Sequence, residues 1–558
     1  MSETEQSQGG GAATPRPYAP DFGTLTAPAY PRPGTGQGKF RIALLGDFSA
    51  RAHRGALETG AALAVRRPMK LDVDTLDQVI ARCRTSLTLD LGAEGSAVTV
   101  EPGALDDLHP DALFANLGLF GGLARLRARV KSGATRTLDE LRAWGVEYHG
   151  FRPAPRSPSA DQIPADRRLS DFARLIGATA PRPESAATEE LVRQVVAPHI
   201  VAAPSPDQPA MLVAIDAALS AAMRGLLHHP DFQSLEASWR ALDFLARRIE
   251  TDDELELAVF DIAAQEFAAG LSAGAELSHS ALFRLLAEQP FEAADPFGAI
   301  IGLYSFEETP PHAELLGRMA RIAAHVGAPF VAGISTGFLA TPLAERHPLV
   351  AAAWDALREM PEASHLGLAC PRFLLRHPYG RRSDPIDSFG FEEFTLGEGM
   401  KGLLLAHPAL VVAVLLAAAV REGGAATGAV MSLDDMPFHT MTDAEGDQVA
   451  LPCTERLFSA AKAAQIIERG YMPLLSVKGR NLVRLGSFQS LQGDTLPGPW
   501  GEAAPAAPAS RRATLTLTMP RPPAAADELD ALLAARARPA PADESGIEAG
   551  LRTLLGDL

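Results

Sequence analysis

Residues 402–420, GLLLAHPALVVAVLLAAAV, form a run without a single charged side chain. As one helix the run would be about 28 Å long, close to the thickness of the hydrocarbon core of a bilayer. Two features argue against a membrane span. His407 and Pro408 lie inside the run, and there is one basic residue at each end, Lys401 and Arg421, so no charge difference between the two sides sets an orientation. A helix that is apolar on all sides is also typical of the core of a large protein. The run therefore predicts a large folded core and no membrane insertion.

The composition agrees with such a core, since 47% of the 558 residues are hydrophobic. The balance of 51 basic and 68 acidic residues gives a net charge of −17. This charge disfavours nucleic acid as a partner, because phosphate binding needs concentrated Lys and Arg. Cys83, Cys370 and Cys453 lie far apart, which predicts neither a disulfide framework nor a zinc cluster and is typical of a reducing cytoplasm. The polar start MSETEQSQGGG lacks the order of a signal peptide.

The predicted fold class is α/β, with mixed sheets and flanking helices. Composition and hydrophobic periodicity divide the chain into six segments. The segments are a disordered tail (1–38), a small α/β unit (39–132), a Pro-rich linker (133–168), a helical entry segment (169–232), a large mixed region (233–495) and an Ala/Pro-rich tail with one strand and short helices (496–558).

Several stretches predict particular elements. Strands are expected at FRIALLG (40–46), ELELAVFDI (254–262) and GAIIGLYSF (298–306), and a hairpin at LTLDL and AVTVE (87–91 and 97–101). Apolar spacing predicts a helix after the strand in MKLDVDTLDQVIARC (69–83), one long helix at HPDALFANLGLFGGLARLRARV (109–130), and another at MLVAIDAALSAAMRGLL (211–227).

Two motifs raise the question of catalysis. GISTG (333–337) has the form of a nucleophile elbow with Ser335, but only three of its positions are fixed and the chain has 48 glycines. GEGMKG (397–402) matches a dinucleotide loop, yet FEEFTL (391–396) precedes it instead of an apolar parallel strand. We interpret the first as a strand end leaving a sheet through a turn, and the second as a loop that leads into a buried helix.

Other signatures of chemistry are missing from the sequence. It contains no Gly-x-x-x-x-Gly-Lys-Ser/Thr loop, no His-Glu-x-x-His helix and no Cys/His cluster, so no catalytic, cofactor-binding or metal-ligating residue is predicted. ETDDELE (250–256) is interpreted as a solvated turn. FARLIGATAPRP (172–183) and LDALLAARARPAP (529–541) form a weak internal repeat, for which chance in an Ala-rich chain is an equal explanation.

Four long blocks resemble the large subunit of the type VI secretion contractile sheath. They are HHPDFQSLEASWRALDFL (228–245), GAIIGLYSFEETPPHAELLGRMARIAAHVGAPFVAG (298–333), CPRFLLRHPYGRRSDPIDSFGFEE (370–393) and MPFHTMTDAEGDQVALPCTERLFSAAKAAQIIERGYMPLLSVKG (436–479). FRIALLGDFSAR (40–51) and RPMKLDVDTLDQVIARC (67–83) resemble the small sheath subunit. The chain therefore looks like the two subunits fused.

The resemblance implies a structural, non-enzymatic protein that needs no cofactor. It would be a sheath protomer in the cytoplasm that assembles around an inner tube and contracts to drive secretion. The implied partners are other sheath subunits or further copies of itself, the inner tube protein, the baseplate and the AAA+ unfoldase that recycles contracted sheath.

The resemblance also implies two interaction sites. LSDFARLIG (169–177) stands where the family presents a short helix to the unfoldase, and Leu169, Phe172, Leu175 and Ile176 form one apolar stripe on it. A short helix that packs on the chain's own core is an equal alternative for this stretch. ATLTLTMP (513–520) alternates strictly and resembles the terminal strand that sheath protomers exchange, with Leu515 and Leu517 on one face.

One departure from the family leaves alternatives open. In the large subunit a further stretch follows the block that ends here at GSFQSLQ, whereas this chain continues with an Ala/Pro-rich segment. A sheath-like adaptor or terminator that joins a polymer without propagating it is therefore a second hypothesis. A serine hydrolase using Ser335 is a remote third.

Overall fold

The structure, a computed structural model, describes residues 19–27, 39–90, 97–132, 208–396, 399–422, 431–442, 447–477 and 479–499. The predicted unfoldase-docking residues Leu169, Phe172, Leu175 and Ile176 lie outside the described residues, as do Leu515, Leu517 and the repeat at 172–183 and 529–541.

The described strands and helices alternate along most of the chain. The strands are β1 (Phe40–Gly46), β2 (Met69–Leu71), β3 (Leu87–Asp90), β4 (Ala97–Val100), β5 (Leu255–Asp261), β6 (Ala299–Phe306), β7 (Phe330–Ile334), β8 (Leu366–Cys370), β9 (Phe373–Leu374), β10 (Leu405–Ala406), β11 (Ser432–Leu433), β12 (Thr440–Thr442), β13 (Gln448–Ala450), β14 (Met472–Ser476) and β15 (Val483–Leu485). The helices are α1 (Arg51–Arg54), α2 (Ala61–Ala64), α3 (Leu76–Cys83), α4 (Pro110–Asn116), α5 (Gly118–Lys131), α6 (Gln208–Leu227), α7 (Pro230–Arg248), α8 (Ala264–Ser272), α9 (Ala281–Phe283), α10 (Gln289–Glu292), α11 (Pro310–Val326), α12 (Pro348–Glu359), α13 (Ala409–Arg421) and α14 (Ala460–Glu468).

A nine-stranded sheet with the order β11-β15-β14-β8-β7-β6-β1-β5-β2 organises the described residues. The strands from β14 to β5 run parallel, while β2, β15 and β11 pair antiparallel at the two sides. One face packs against α3, α5, α6, α7 and α13, and the other against α8, α9, α11 and α12. Parallel strands need both faces covered, and this three-layer arrangement confirms the predicted α/β class.

The uncharged run at 402–420 is buried in the core, as expected, but it is not one helix. Strand β10 occupies its first part, and α13 begins at Ala409, directly after Pro408. Pro408 lacks an N–H and therefore stands at the helix start, where no intrahelical bond is lost. Nearly every residue of α13 is buried, and the helix packs on β6 and β7. The apolar run thus fills the interior of the α/β core.

Within the described ranges, no single helix is long and apolar enough to span a bilayer. Residues Met211–Leu227 and Pro230–Arg248 reach the required length and composition only as a pair, and the two helices are bent by 67° relative to each other.

The hairpin of β3 and β4 and the strand–helix pair of β2 and α3 confirm the predictions for residues 69–101. The single helix predicted for 109–130 is wrong, because α4 and α5 are separated by Leu117 in an extended conformation (φ −92°, ψ 128°). Asn116 and Gly118 are poor helix formers and flank the break. The bend brings the rings of Phe114 and Phe120 to 5.9 Å.

Residues 19–27 correct the prediction that the whole tail 1–38 is disordered. The N–H of Thr24 donates to the carbonyl of Ala275 at 2.6 Å, and the N–H of Leu277 donates to the carbonyl of Thr24 at 2.8 Å. The carboxylate of Asp21 pairs with Arg318 at 2.7 Å. Composition averaged over the tail could not reveal this short segment, which is held by residues far away in the sequence.

Gly317 makes room for this segment, and its replacement by alanine is expected to displace it. A Cβ atom at position 317 would lie 2.1 Å from the Cδ1 atom of Phe22, which is far inside van der Waals contact. We expect Gly317→Ala to release residues 21–26, and to lower the free energy of unfolding by about 1–2 kcal/mol through the lost burial of Phe22. Hydrogen exchange of the 19–27 peptide measures the release. Gly121→Ala, where the nearest atom is 3.6 Å away, is the control, and unchanged protection in Gly317→Ala would contradict the packing.

Candidate assembly interface

Strand β1 lies between β5 and β6, at the centre of the sheet. It pairs parallel with β5 over its whole length, from Phe40 opposite Leu255 to Gly46 opposite Asp261. On its other side it pairs with β6 over 42–45. The alternating apolar residues of β1 point into the cores on both faces of the sheet and are fully buried. The segment 39–132 therefore packs against the large region within this chain.

The start of β1 is also held by charges. Arg41 donates from Nε to Glu256 at 2.9 Å and pairs with Asp295 at 3.0 Å. Lys39 reaches the same glutamate at 3.1 Å. Burial alone would raise the pKa of Glu256, but hydrogen bonds from Lys39 and Arg41 lower it below its ordinary value. These pairs add directional contacts to the backbone ladder between β1 and β5.

The loop that follows β1 encloses two carboxylates. Asp261, at the end of β5, accepts hydrogen bonds from the N–H of Phe48 at 2.8 Å and from the hydroxyl of Ser49 at 2.7 Å. Asp47 accepts from the N–H groups of Arg51 and Ala52 at the start of α1. Burial and the nearby carboxylate of Asp261 raise the pKa of Asp47 to about 6, although the bond from Ala52 opposes the shift. The loop is thus fastened to β5 by ionisable groups.

A buried glutamate on α8 extends this contact. Glu266 is fully buried and pairs with Arg51 at 3.1 Å and with Arg66 at 2.8 Å. Burial alone would raise the pKa of Glu266, but the hydrogen bonds from Arg66 and from the backbone lower it. Both arginines belong to the segment 39–132, so this segment supplies the positive charges that neutralise the Glu266 carboxylate on α8.

Helices α4 and α5 contact the loop 378–391 of the large region. Asp111 accepts from the N–H groups of Asp387 and Ser388, at 3.0 and 2.9 Å. Arg127 pairs with Asp216 on α6 at 2.7 Å and donates to the carbonyl of Ser388 at 3.0 Å. The segment 39–132 therefore meets the large region at a second place, away from β1.

A buried ion network holds this loop in position. The guanidinium of Arg376, whose side chain is 8% exposed, pairs with Glu236 of α7 and with Glu393, each at 2.7 Å. Arg240 also pairs with Glu236, and the Arg376 guanidinium lies 4.2 Å from the ring centroid of Tyr379. Burial alone would raise the pKa of Glu236, but Arg376 and Arg240 lower it.

This network was not identified in the sequence. All its members stand in stretches that carry the sheath resemblance, but Arg376 and Glu236 are separated by 140 positions. The sequence signal that points to such a network is a charged residue among apolar neighbours, because charged side chains are rarely buried without a partner. Glu236 in the stretch 228–245 is an example. Only the tertiary structure shows its partner.

A surface cavity of about 310 Å³ opens where α5 meets the loop 378–391. Arg127, Lys131, Arg381 and Asp387 contribute charged groups to its wall, beside the backbone of 385–391. Its volume is at the lower end of the range for small-molecule sites. The cavity belongs to the contact between 39–132 and the large region.

The first of the two glycine-containing motifs has the local structure predicted from the sequence, a turn at the end of a strand. Ser335 follows β7 and caps a short 3₁₀ turn, Thr336–Ala340, where its hydroxyl accepts a long bond of 3.5 Å from the N–H of Gly337. Residues 399–402 form another 3₁₀ turn, which β10 and then α13 follow, and the described residues 391–396 before it form no parallel strand. No group of three or more His, Cys, Asp or Glu side chains placed to hold a metal occurs in the described ranges.

Replacing Ser335 by alanine is expected to change the free energy of unfolding by less than about 1 kcal/mol, because only one long capping bond is lost. We further expect no covalent labelling of Ser335 by a broad serine-reactive probe. Thermal unfolding and mass spectrometry of the probe-treated protein measure the two effects. Labelling that Ser335→Ala abolishes would contradict the turn interpretation.

Among the described strands, β2 and β11 form the two outer edges of the nine-stranded sheet. Both are short, and the exposed Lys70 stands in the middle of β2. Short edges that carry a lysine discourage unspecific pairing between sheets. A strand from another chain could therefore extend this sheet only if its own edge matched β2 or β11 specifically.

Comparison with known proteins identifies the class. The family described as "VipB: EvpB/VC_A0108, tail sheath N-terminal domain" matches residues 209–492, from α6 to the end of the sheet. The chain therefore matches the class of tail sheath proteins, which are structural proteins. The chain belongs to the VipB family.

A curated relative gives a more particular likeness. The chain is 33% identical, over 305 residues, to the type VI secretion system sheath protein TssC1 of Pseudomonas aeruginosa (strain PAO1). The alignment covers 50% of this chain and 61% of that relative. The expected likeness to type VI secretion sheath proteins is confirmed for this part of the chain.

Proposed function

We propose that this protein is a sheath protomer of a type VI secretion-like contractile machine, in which the small and the large sheath units are fused. In the cytoplasm it would assemble with further copies or with other sheath subunits around an inner tube, and contract to drive secretion. The inner tube protein and the baseplate would be its other structural partners.

The observation that carries the proposal is the place of β1. The family match begins at residue 209, yet the sheet of the matched region has β1, from residues 40–46, between β5 and β6. Without β1, the facing edges of β5 and β6 would be unpaired within a buried parallel sheet, and unpaired buried backbone groups are costly. The segment 39–132 thus behaves as the small half of a two-part protein that is joined covalently here.

Cutting the covalent connection tests the fusion. A specific protease site inserted between 133 and 207 should leave the two fragments associated in size-exclusion chromatography after cleavage. Expressed separately, the fragment from 208 onward should aggregate, because its sheet lacks a central strand. Two fragments that separate after cleavage, and that each fold alone, would contradict the proposal.

Electron microscopy tests the assembly itself. The purified chain should form helical filaments alone or together with separately produced sheath subunits of the same machine. Joining the ends of preformed filaments without lengthening them would instead support an adaptor or terminator. A chain that forms no filaments alone and also does not join separately produced sheath subunits would contradict both functions.

We also propose the two interaction sites outside the described residues. Leu169, Phe172, Leu175 and Ile176 would dock to the N-terminal domain of the AAA+ unfoldase that recycles contracted sheath, by a helix-in-groove contact. A peptide spanning 165–185 should bind that domain in titration calorimetry. Absence of binding, or binding unaffected by Phe172→Ala with Leu175→Ala, would contradict the docking.

The second site is a strand for exchange. Leu515 and Leu517 would place the strand 513–520 on a neighbouring protomer, by β-augmentation. Leu515→Asp with Leu517→Asp should then reduce filament formation, while Thr516→Ser, which leaves that face apolar, should not.

A further inference from the structure

His53 of α1 faces a hydrogen-bond acceptor with each of its two ring nitrogens. Its Nδ1 atom lies 3.2 Å from Oδ2 of Asp231, and its Nε2 atom lies 2.7 Å from the carbonyl oxygen of Thr88. A carbonyl oxygen and an ionised carboxylate only accept hydrogen bonds. Both contacts are therefore satisfied together only when His53 carries two ring protons and a positive charge.

The three residues come from three elements. His53 lies on the short helix after the β1 loop, and Thr88 lies on β3, so both belong to the segment 39–132. Asp231 stands in the first turn of α7, inside the family-matched region 209–492. The side chains of His53 and Asp231 are 25% and 16% exposed, so solvent screens their contact only partly.

The charged groups around the ring favour its protonated form. Asp231 faces it from α7, where the helix N-terminus also stabilises the negative charge. Asp47 adds negative charge from the same loop above its own pKa of about 6. His229, which precedes α7, is the neighbouring titratable histidine, and burial lowers its pKa below the ordinary value.

We propose that His53 is a proton-operated latch between the segment 39–132 and α7. When protonated, it fastens the loop after β1 and strand β3 to the first turn of α7 by two donated hydrogen bonds. When neutral, it keeps one proton, and either Asp231 or Thr88 faces an unprotonated nitrogen. The latch does not depend on sheath assembly, since all its groups lie in one chain.

The direction of the pH dependence follows from the geometry. The hydrogen bond and the charge of Asp231 raise the pKa of His53 above its ordinary value of 6.5. Its contribution to stability is thus fully present below about pH 6.5 and is lost as the pH rises through the higher folded pKa. Asp47 titrates over a lower pH range. Its pKa is about 6 in the folded chain against 3.8 ordinarily, so the stability that comes from its protonation is present below about pH 4 and is lost as the pH rises through about 6.

Hydrogen exchange on the full chain tests the latch. Protection of residues 46–56 and 86–90, corrected for intrinsic exchange rates, should fall roughly fivefold to tenfold between about pH 6 and pH 8.5. His53→Gln should remove this pH step. His53→Lys, which stays charged over the whole range, should also remove the step. His439→Gln, which replaces a histidine whose pKa burial lowers, should keep the step unchanged.

A second measurement reads the proton directly. In the chain labelled with ¹³C at the histidine Cε1 position, the signal that His53→Gln removes should titrate above about pH 6.5. In Asp231→Asn the same signal should titrate at a lower pH. A His53 signal that titrates below about pH 6.5, or a protection step that persists in His53→Gln, would overturn the proposal.

Discussion

Replacing Arg376 by alanine is expected to lower the free energy of unfolding by about 3–5 kcal/mol. Arg376 separates two buried carboxylates, those of Glu236 and Glu393, and pairs with both at 2.7 Å. Without the guanidinium these carboxylates would stay buried with too little positive charge around them, since Arg240 compensates only Glu236. One of them must then bind a proton or enter water, and either outcome costs stability. Denaturant unfolding of the purified chain measures the change.

Arg247, on the helix α7 that also carries Glu236, provides the control. It pairs with Asp243 at 2.6 Å, but its side chain is 70% exposed. Exposed pairs four residues apart on a helix contribute about 0.3–0.5 kcal/mol, so Arg247→Ala should have little effect. Adding Glu393→Gln to Arg376→Met should recover part of the lost stability, because the uncompensated charge of Glu393 disappears while Glu236 keeps its pair with Arg240. Equal effects of Arg376→Ala and Arg247→Ala would contradict the buried network.

Replacing Trp239 by alanine is expected to lower the free energy of unfolding by about 3–5 kcal/mol. The indole is fully buried, and its Nε1–H donates to the carbonyl oxygen of Phe48 at 2.7 Å. Through this bond α7 holds the loop after β1, so the substitution removes both a large core side chain and a link between the two parts of the chain. Thermal and denaturant unfolding measure the total loss.

Trp239→Phe separates the two contributions. Phenylalanine keeps most of the ring volume but cannot donate to Phe48, so the expected loss is about 1–2 kcal/mol. Hydrogen exchange of residues 46–56 should rise in this variant while the rest of the core stays protected. A loss as large as that of Trp239→Ala, spread evenly over the core, would show that the indole only fills space and does not hold the loop.

Much of the local structure was predictable. The period-two pattern of 87–101 predicted the hairpin, and the apolar run at 402–420 predicted a buried core element, because both depend on neighbouring residues alone. The turn at Ser335 was predictable for the same reason, as it follows directly from a short apolar strand. The break at Leu117 was not, because the apolar spacing continues across it.

The long-range arrangement could not be read from these patterns. The pattern of FRIALLG predicts a buried strand, but not that it lies between β5 and β6, which begin more than 200 residues later. The same holds for Asp21 with Arg318. Hydrophobic periodicity reports which face of an element is buried, and many neighbours satisfy that requirement equally well. The sequence by itself therefore determined most of the local elements, the presence of a large buried core and the sheath likeness. Only the tertiary structure decided that residues 39–132 complete the central sheet, because strand order and buried charge pairing depend on contacts between distant residues.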